Sequence, residues 1–314
     1  MSIQHTLAYP WLALALAALA ACGGGGNTVV AVPPPADEEP PADEEVIVGQ
    51  FAFGPISSFG SIIVGGVRYD TSAAQFTIDG EVGSQDDLSV GHVVLIEATV
   101  DGDGVAQALN VFFDDNVEGP IESIDLGAAQ LTVLGQTVAI TADTSFDDGI
   151  APPSLEGLAV GDTIEVSGLI EADGTISATR IERKAPGGEL ELRGVVSNLD
   201  SAAQHFDLNA LTVDYSAAAL SDFPTGQPAD GDLVEVKGTA FGPGGELIAT
   251  SVELESLLPG DGGGGAFVEI EGFISRFASA TDFSVAGLAV TTTEATVFEG
   301  GAASDLGLNI KVEV

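Results

Sequence analysis

The sequence predicts an all-β chain: tandem small antiparallel barrels, OB-like, of five to six strands each, with no significant helix after an N-terminal leader. Three observations predict it. The 314 residues include 41 Gly but only 6% aromatic side chains, with Val, Ile and Thr in short runs, a composition suited to many short strands and tight turns. One pattern returns four times along the chain. Within each return apolar and polar residues alternate with period two, as in a strand with one dry and one wet face.

The elements follow in chain order. Residues 7–21 read "LAYPWLALALAALAA". This run is short of the roughly 20 residues a membrane-spanning helix needs, and it matches the apolar core of a secretory leader. The preceding "MSIQHT" has no Lys or Arg, a departure from the usual basic start of a leader. The run closes on Leu19, Ala20, Ala21 and Cys22, the single cysteine, and four glycines follow. A chain with one thiol builds no internal disulfide framework. Residues 22–46 turn Gly-rich, then Pro-rich, then acidic, without apolar periodicity, and read as a disordered spacer.

The repeats begin after the spacer. Openings at 54, 119, 194 and 272 read "GPISSF", "GPIESI", "GVVSNL" and "GFISRF". A second shared segment follows each opening: "VGHVVLIEA" from Val90, "VGDTIEVSG" from Val160, "DGDLVEVKG" from Asp230 and "LGLNIKVEV" from Leu306. In the second copy Ile164 and Val166 alternate with Thr163, Glu165 and Ser167. Val234 and Val236 repeat this in the third copy, Ile310 and Val312 in the fourth. Asp173-Gly174 then marks a hairpin turn, with Ile176, Ala178 and Ile181 on the strand beyond it. The expected divisions are a leader at 1–21, the spacer at 22–46, and repeats at 47–118, 119–186, 187–260 and 266–314. The last repeat is incomplete by comparison with the second, so a longer parent chain is expected.

Two resemblances attach to these motifs. Leu19-Ala20-Ala21-Cys22 resembles the lipobox of bacterial lipoproteins. That resemblance implies cleavage before Cys22, acylation of its sulfur and attachment to membrane lipid; Gly23 after it implies delivery to the outer membrane. The tandem pattern resembles bacterial lipoproteins built from an uncharacterised small-β domain, most clearly in "VGDTIEVSGLIEADGTISATRIE" at 160–182. It carries no established activity with it.

Charge narrows the partners. Eight Lys plus Arg face 48 Asp plus Glu, a formal net charge of −40. Nucleic acid is excluded as a partner, since its phosphates are bound through Lys and Arg. No catalytic residue stands out: there is no G-x-S-x-G elbow and no phosphate-cradling Gly-Lys loop. His92 takes the turn position of Asp162 and Asp232 and is expected to be exposed; with His205 in another copy, the mature chain lacks the residues of a zinc site. The weak metal candidates are Asp101, Asp103, Asp114 and Asp115, for Ca²⁺. "DGDG" at 101–104 fails the EF-hand pattern, because Val105 and Phe112 stand where ligands belong. Tyr69 and Tyr215 are the only tyrosines after the leader, few for a sugar-stacking platform.

The expectation is therefore a lipid-anchored cell-envelope protein, not an enzyme, with a structural or binding role toward an envelope protein or polysaccharide. Two alternatives stand beside it: an envelope polysaccharide-active enzyme or accessory using surface carboxylates, and a calcium-dependent adhesion or binding array.

Overall fold

The computed structural model describes residues 2–4, 48–100, 105–256, 258 and 267–314. Cys22, the lipobox residues Leu19, Ala20 and Ala21, the spacer at 22–46, and Asp101 and Asp103 lie outside the described residues. Those described are all-β, with three short 3-10 turns at Gln85–Asp87, Leu155–Gly157 and Ala303–Asp305. None of their helices is long and apolar enough to cross a membrane.

Copy two shows the plan. Its strands are Val117–Asp125, Gln130–Val133, Gln136–Phe146, Thr163–Ile170 and Ile176–Arg183. The first pairs antiparallel with the second, and the second with the third. The third runs parallel to the fifth, with Val138 opposite Ile176. The fifth pairs antiparallel with the fourth, and the fourth returns to the first, with Ile164 opposite Gly119. The pairing is thus a closed circuit of five strands. Inside it Ile121, Leu131, Val138, Ile164, Val166 and Ile181 are fully or nearly fully buried, each contributing about 1.5–3 kcal/mol of transfer free energy.

Local chemistry sets the corners. In copies one, two and four the hairpin between second and third strands has consecutive positive-φ residues, Gly65-Gly66, Leu134-Gly135 and Ala286-Gly287; in copy three Asn209 alone has positive φ. Positive φ at both central positions suits a two-residue turn to the twist of its strands. The turn into the fourth strand needs one left-handed residue, Gly91, Gly161 or Gly231 in the first three copies and Asn309 in the last.

Asn309 corrects the alignment of the fourth copy. Asn309 N donates to Ile274 O, as Gly161 N donates to Ile121 O. Ile310 therefore stands where Asp162 stands, and it is 38% exposed, whereas Val312 takes the buried place of Ile164. The fourth segment is two residues out of the register its letters suggest. A position defined by backbone φ outweighs a match of side chains.

Two further expectations are corrected. The sheets are mixed, not purely antiparallel, because third and fifth strands run parallel. The copies are also not discrete barrels, since strands of neighbouring copies hydrogen-bond to each other. Val117–Asp125 pairs with Leu190–Asp200, joining copies two and three. Val48–Pro55 runs parallel to Phe267–Ser279, joining copies one and four. The result is two continuous sheets, closer to a β-solenoid than to separate beads. Copies two and three share one apolar core, in which Leu192, Phe206 and Val234 pack with the residues of copy two. In copy four Ser2–Gln4 lies between Val297–Glu299 and Lys311–Glu313. Its direction is opposite to that of the fifth strand in the other copies.

Candidate functional site at the junction of three copies

The fourth strand of copy two is buried on both faces. Ile164 and Val166 point into the circuit, as the alternation requires. The expected wet face is also covered: Thr163, Glu165 and Ser167 are 7%, 3% and 2% exposed. Copy one does part of the covering. Val93 N donates to Ser167 Oγ at 2.8 Å, and Thr179 Oγ1 donates to Gly91 O at 2.5 Å.

Register then lines up acids across the joined sheet. Glu182 stands opposite Glu165, Glu165 opposite Glu118, and Glu118 opposite Glu191. The next pairing carries the row to Lys237. Directly opposed residues share a face, so like charges in such a row repel. Cations relieve part of it. Lys184 Nζ pairs with Glu165 Oε2. Lys237 Nζ lies 3.1 Å from Glu191 and 3.4 Å from Glu235. Arg180 pairs with Glu182. Among the described residues Glu118, half-buried, has no cation at ion-pair distance.

The connector between copies one and two places another acid over this row. Asn116 pins it: its backbone N donates to Val166 O at 2.9 Å, its carbonyl accepts from Arg193 N at 3.0 Å, and its Oδ1 accepts from Gly168 N at 2.6 Å. The neighbouring Asp115 is thereby held inside at 2% exposure, with no hydrogen-bond partner on Oδ1. One oxygen each of Asp115, Glu118 and Glu165 falls within 4.8 Å of the others.

The electrostatics follow from burial and crowding. Burial pushes Asp115 well above the usual carboxylate range, and Glu191, Glu165, Asp79 and Glu118 add to the push. Burial also drives Glu191 up to about 9, helped by its hydrogen bond and repulsion with Glu235. Asp79 rises to about 6 and Glu255 to about 7, again chiefly by burial. Glu182 moves the other way: the imidazole of His92 beside it, and then Arg180, hold it down to about 2 against the effect of burial.

The sequence-derived candidates divide. Asp115 enters the junction, and Asp114 lies beside it, 4.0 Å from Arg193. His92 is corrected from exposed to buried, at 2% exposure. It stacks on Phe113 with ring centroids 4.2 Å apart, and its Nε2 is 3.3 Å from Glu182 and 3.8 Å from Glu165. One oxygen each of Glu165 and Glu182 and one His92 nitrogen form a second close trio. The turn position was read correctly; its cover by copy two was not legible. His205 stays half-exposed, 3.6 Å from Asp214. Tyr69 and Tyr215 are core residues at 0% and 2% exposure. Glu118 and Glu165 were missed. Their only sequence signal is a Glu just before the opening glycine and another inside "VGDTIEV", meaningful once those strands are known to pair.

The comparisons with known proteins concern the repeats. A family model described as Domain of unknown function (DUF5666) matches residues 53–111, 118–182, 193–253 and 265–314, more than half of the chain. No curated protein matches. Among solved structures the chain is similar to Drosophila Unr CSD456, at 14% identity and a TM-score of 0.20, over 68% of this chain and 98% of that one.

Proposed function

The chain belongs to the family of the Domain of unknown function (DUF5666), and from that premise we propose that it is a lipid-anchored array of OB-like β modules, non-catalytic, with a structural or partner-binding role at the cell envelope. The observation that carries the reading is the docking of the copies. Sheets that run from copy to copy, with a common core under copies two and three, make a stiff unit rather than beads on a string. The strand order of each circuit favours the OB-like description. Such an array presents its outer faces at fixed spacing, the property a scaffold or binding surface needs.

The anchor rests on residues 7–22: an apolar run, small residues, then the single Cys22. Two acyl chains on that sulfur hold a protein on a bilayer where one chain does not. The acidic spacer then keeps the array off the lipid, and a net charge of −40 makes separate molecules of the protein repel one another. The partner class is an envelope protein or polysaccharide.

Two measurements test the parts. Intact-mass spectrometry on protein from the cell that naturally makes it should give a chain starting at acylated Cys22; residues 1–21 retained with a bare thiol would end the anchor reading. Small-angle scattering of residues 46–314 should fit one compact rigid body. Scattering of a freely jointed chain would end the array reading.

A further inference from the structure

We propose that Asp115, Glu118 and Glu165 bind one divalent cation of the hard, oxygen-seeking class, with Ca²⁺ the best fit, and that this ion fastens copy one to copy two. The inference is independent of the lipid anchor, and the failure of either leaves the other standing.

The geometry points to it in four ways. Three carboxylate oxygens converge within 4.8 Å, from a connector and two adjacent strands. Asp115 Oδ1, in a side chain 2% exposed, has no hydrogen-bond partner, and a carboxylate oxygen of Asp115 lies within 4.8 Å of one from Glu118 and one from Glu165. Leaving a buried carboxylate oxygen unmatched is costly, so a native fold supplies a partner. Register places Glu118 directly opposite Glu165 on one side and Glu191 on the other, an arrangement of like charges that repels without a cation between them. The local charge also fits. Three carboxylates against the one ammonium of Lys184, on Glu165 Oε2, leave two negative charges, which one divalent ion cancels.

The donor set selects the ion. All three donors are carboxylates, which suit Ca²⁺, Mg²⁺ or Mn²⁺ over thiophilic metals. Ca²⁺ tolerates an irregular donor set and takes six to eight oxygens, whereas Mg²⁺ demands a near-ideal octahedron. Glu118 is half-buried and leaves a side open for water or backbone oxygen to complete the shell. The ion would link the connector after copy one to the first and fourth strands of copy two.

The test uses the full chain, stripped with a chelator and titrated with CaCl₂ by calorimetry, and with MnCl₂ by electron paramagnetic resonance, which counts bound ion whatever the stability. One specific site per chain is expected, with a melting temperature raised by several degrees in Ca²⁺. Asp115→Asn and Glu118→Gln should each weaken binding at least tenfold. Asp86→Asn/Asp148→Asn, which removes exposed charge elsewhere, should leave it unchanged. Glu118 is partly exposed, so its variant keeps the test decisive if Asp115→Asn fails to fold. The proposal is overturned if Ca²⁺, Mg²⁺ and Mn²⁺ give neither heat nor a melting shift up to about 10 mM, beyond the weakest extracellular calcium sites. Binding unchanged by both variants overturns it too. A parent that ignores every cation while Asp115→Asn melts higher would mean that a proton, not a metal, resides there.

Discussion

Copies two and three differ at one matched pair of positions, and the difference locates the chemistry. The residue before each opening glycine stands opposite a residue of the fourth strand. In copy three this pair is Arg193 and Glu235; in copy two it is Glu118 and Glu165. Copy one has Phe53 and Leu95, and copy four has Glu271 and Glu313. The same backbone thus carries an apolar pair, a pair of opposite charges and two acid pairs. Copy three supplies cations of its own: Lys237 lies 3.4 Å from Glu235, and Arg193 reaches Glu255 at 3.2 Å. Copy four gives Glu271 an internal lysine, Lys311, at 2.6 Å. Copy two provides Lys184 for Glu165 but nothing within ion-pair distance for Glu118 among the described residues. Circuits built on one plan tolerate these differences because the circuit interior, not this outer pair, holds each copy together.

The sharpest way to break the comparison is Arg193→Ala. It strips the mostly buried guanidinium from Asp114 and Glu255, and one missing partner of a buried pair costs about 3–5 kcal/mol. Urea denaturation should show the loss, and copies two and three should unfold with it, since they share a core. The reverse manipulation, Glu118→Met/Glu165→Leu with Lys184→Met so that its ammonium is not left without Glu165, gives copy two an apolar pair like that of copy one. Replacing buried charge by packed apolar groups is expected to be neutral to stabilising, by up to about 4 kcal/mol. It should also abolish any response of the melting temperature to Ca²⁺.

A smaller effect comes from pH, measured with chelator present. Glu255 and Glu269 are each raised from 4.5 to about 7, and Glu191 to about 9, chiefly by burial. The folded state therefore binds more protons than the unfolded chain above pH 4.5, so stability falls as pH rises from there toward 7 and, for Glu191, toward 9. Glu182, held at about 2, acts oppositely and withdraws stability only below pH 4.5. Melting temperature should peak near pH 5 and be lower at pH 8. A curve rising from pH 5 to 8 would mean these acids are not buried as described. The smallest effect is expected for Arg276→Ala. Its pair with Asp282 is half-exposed on both sides, and such pairs contribute little. Denaturation midpoints should agree within error.

Much of the fold was legible because its determinants are local. Alternation in "DTIEVSG" marks a strand, and Asp173-Gly174 marks a hairpin, confirmed by positive φ at Gly174. The two-residue slip at Asn309 shows the limit: letters aligned "LGLN" with "VGDT", while the left-handed residue sits elsewhere. The candidate site was less legible. In the sequence Asp114-Asp115 is one adjacent pair of acids among several, Asp86-Asp87 and Asp147-Asp148 included, and nothing local sets it apart. His92 was misread as exposed for the same reason: a turn residue shows its φ in sequence, but not the neighbour that covers it.

The sequence by itself determined four repeats, strand alternation, turn positions, a strongly acidic balance and an apolar run that ends on the single cysteine. These depend on residues a few positions apart, or on totals. Only the tertiary structure decided that the polar face of Thr163–Ile170 is buried, that Glu118 stands between Glu165 and Glu191, and that Asp115 is enclosed over them. Strand pairing brings together residues some 50 to 70 positions apart, and the cost of burying charge depends on what surrounds it rather than on what precedes it.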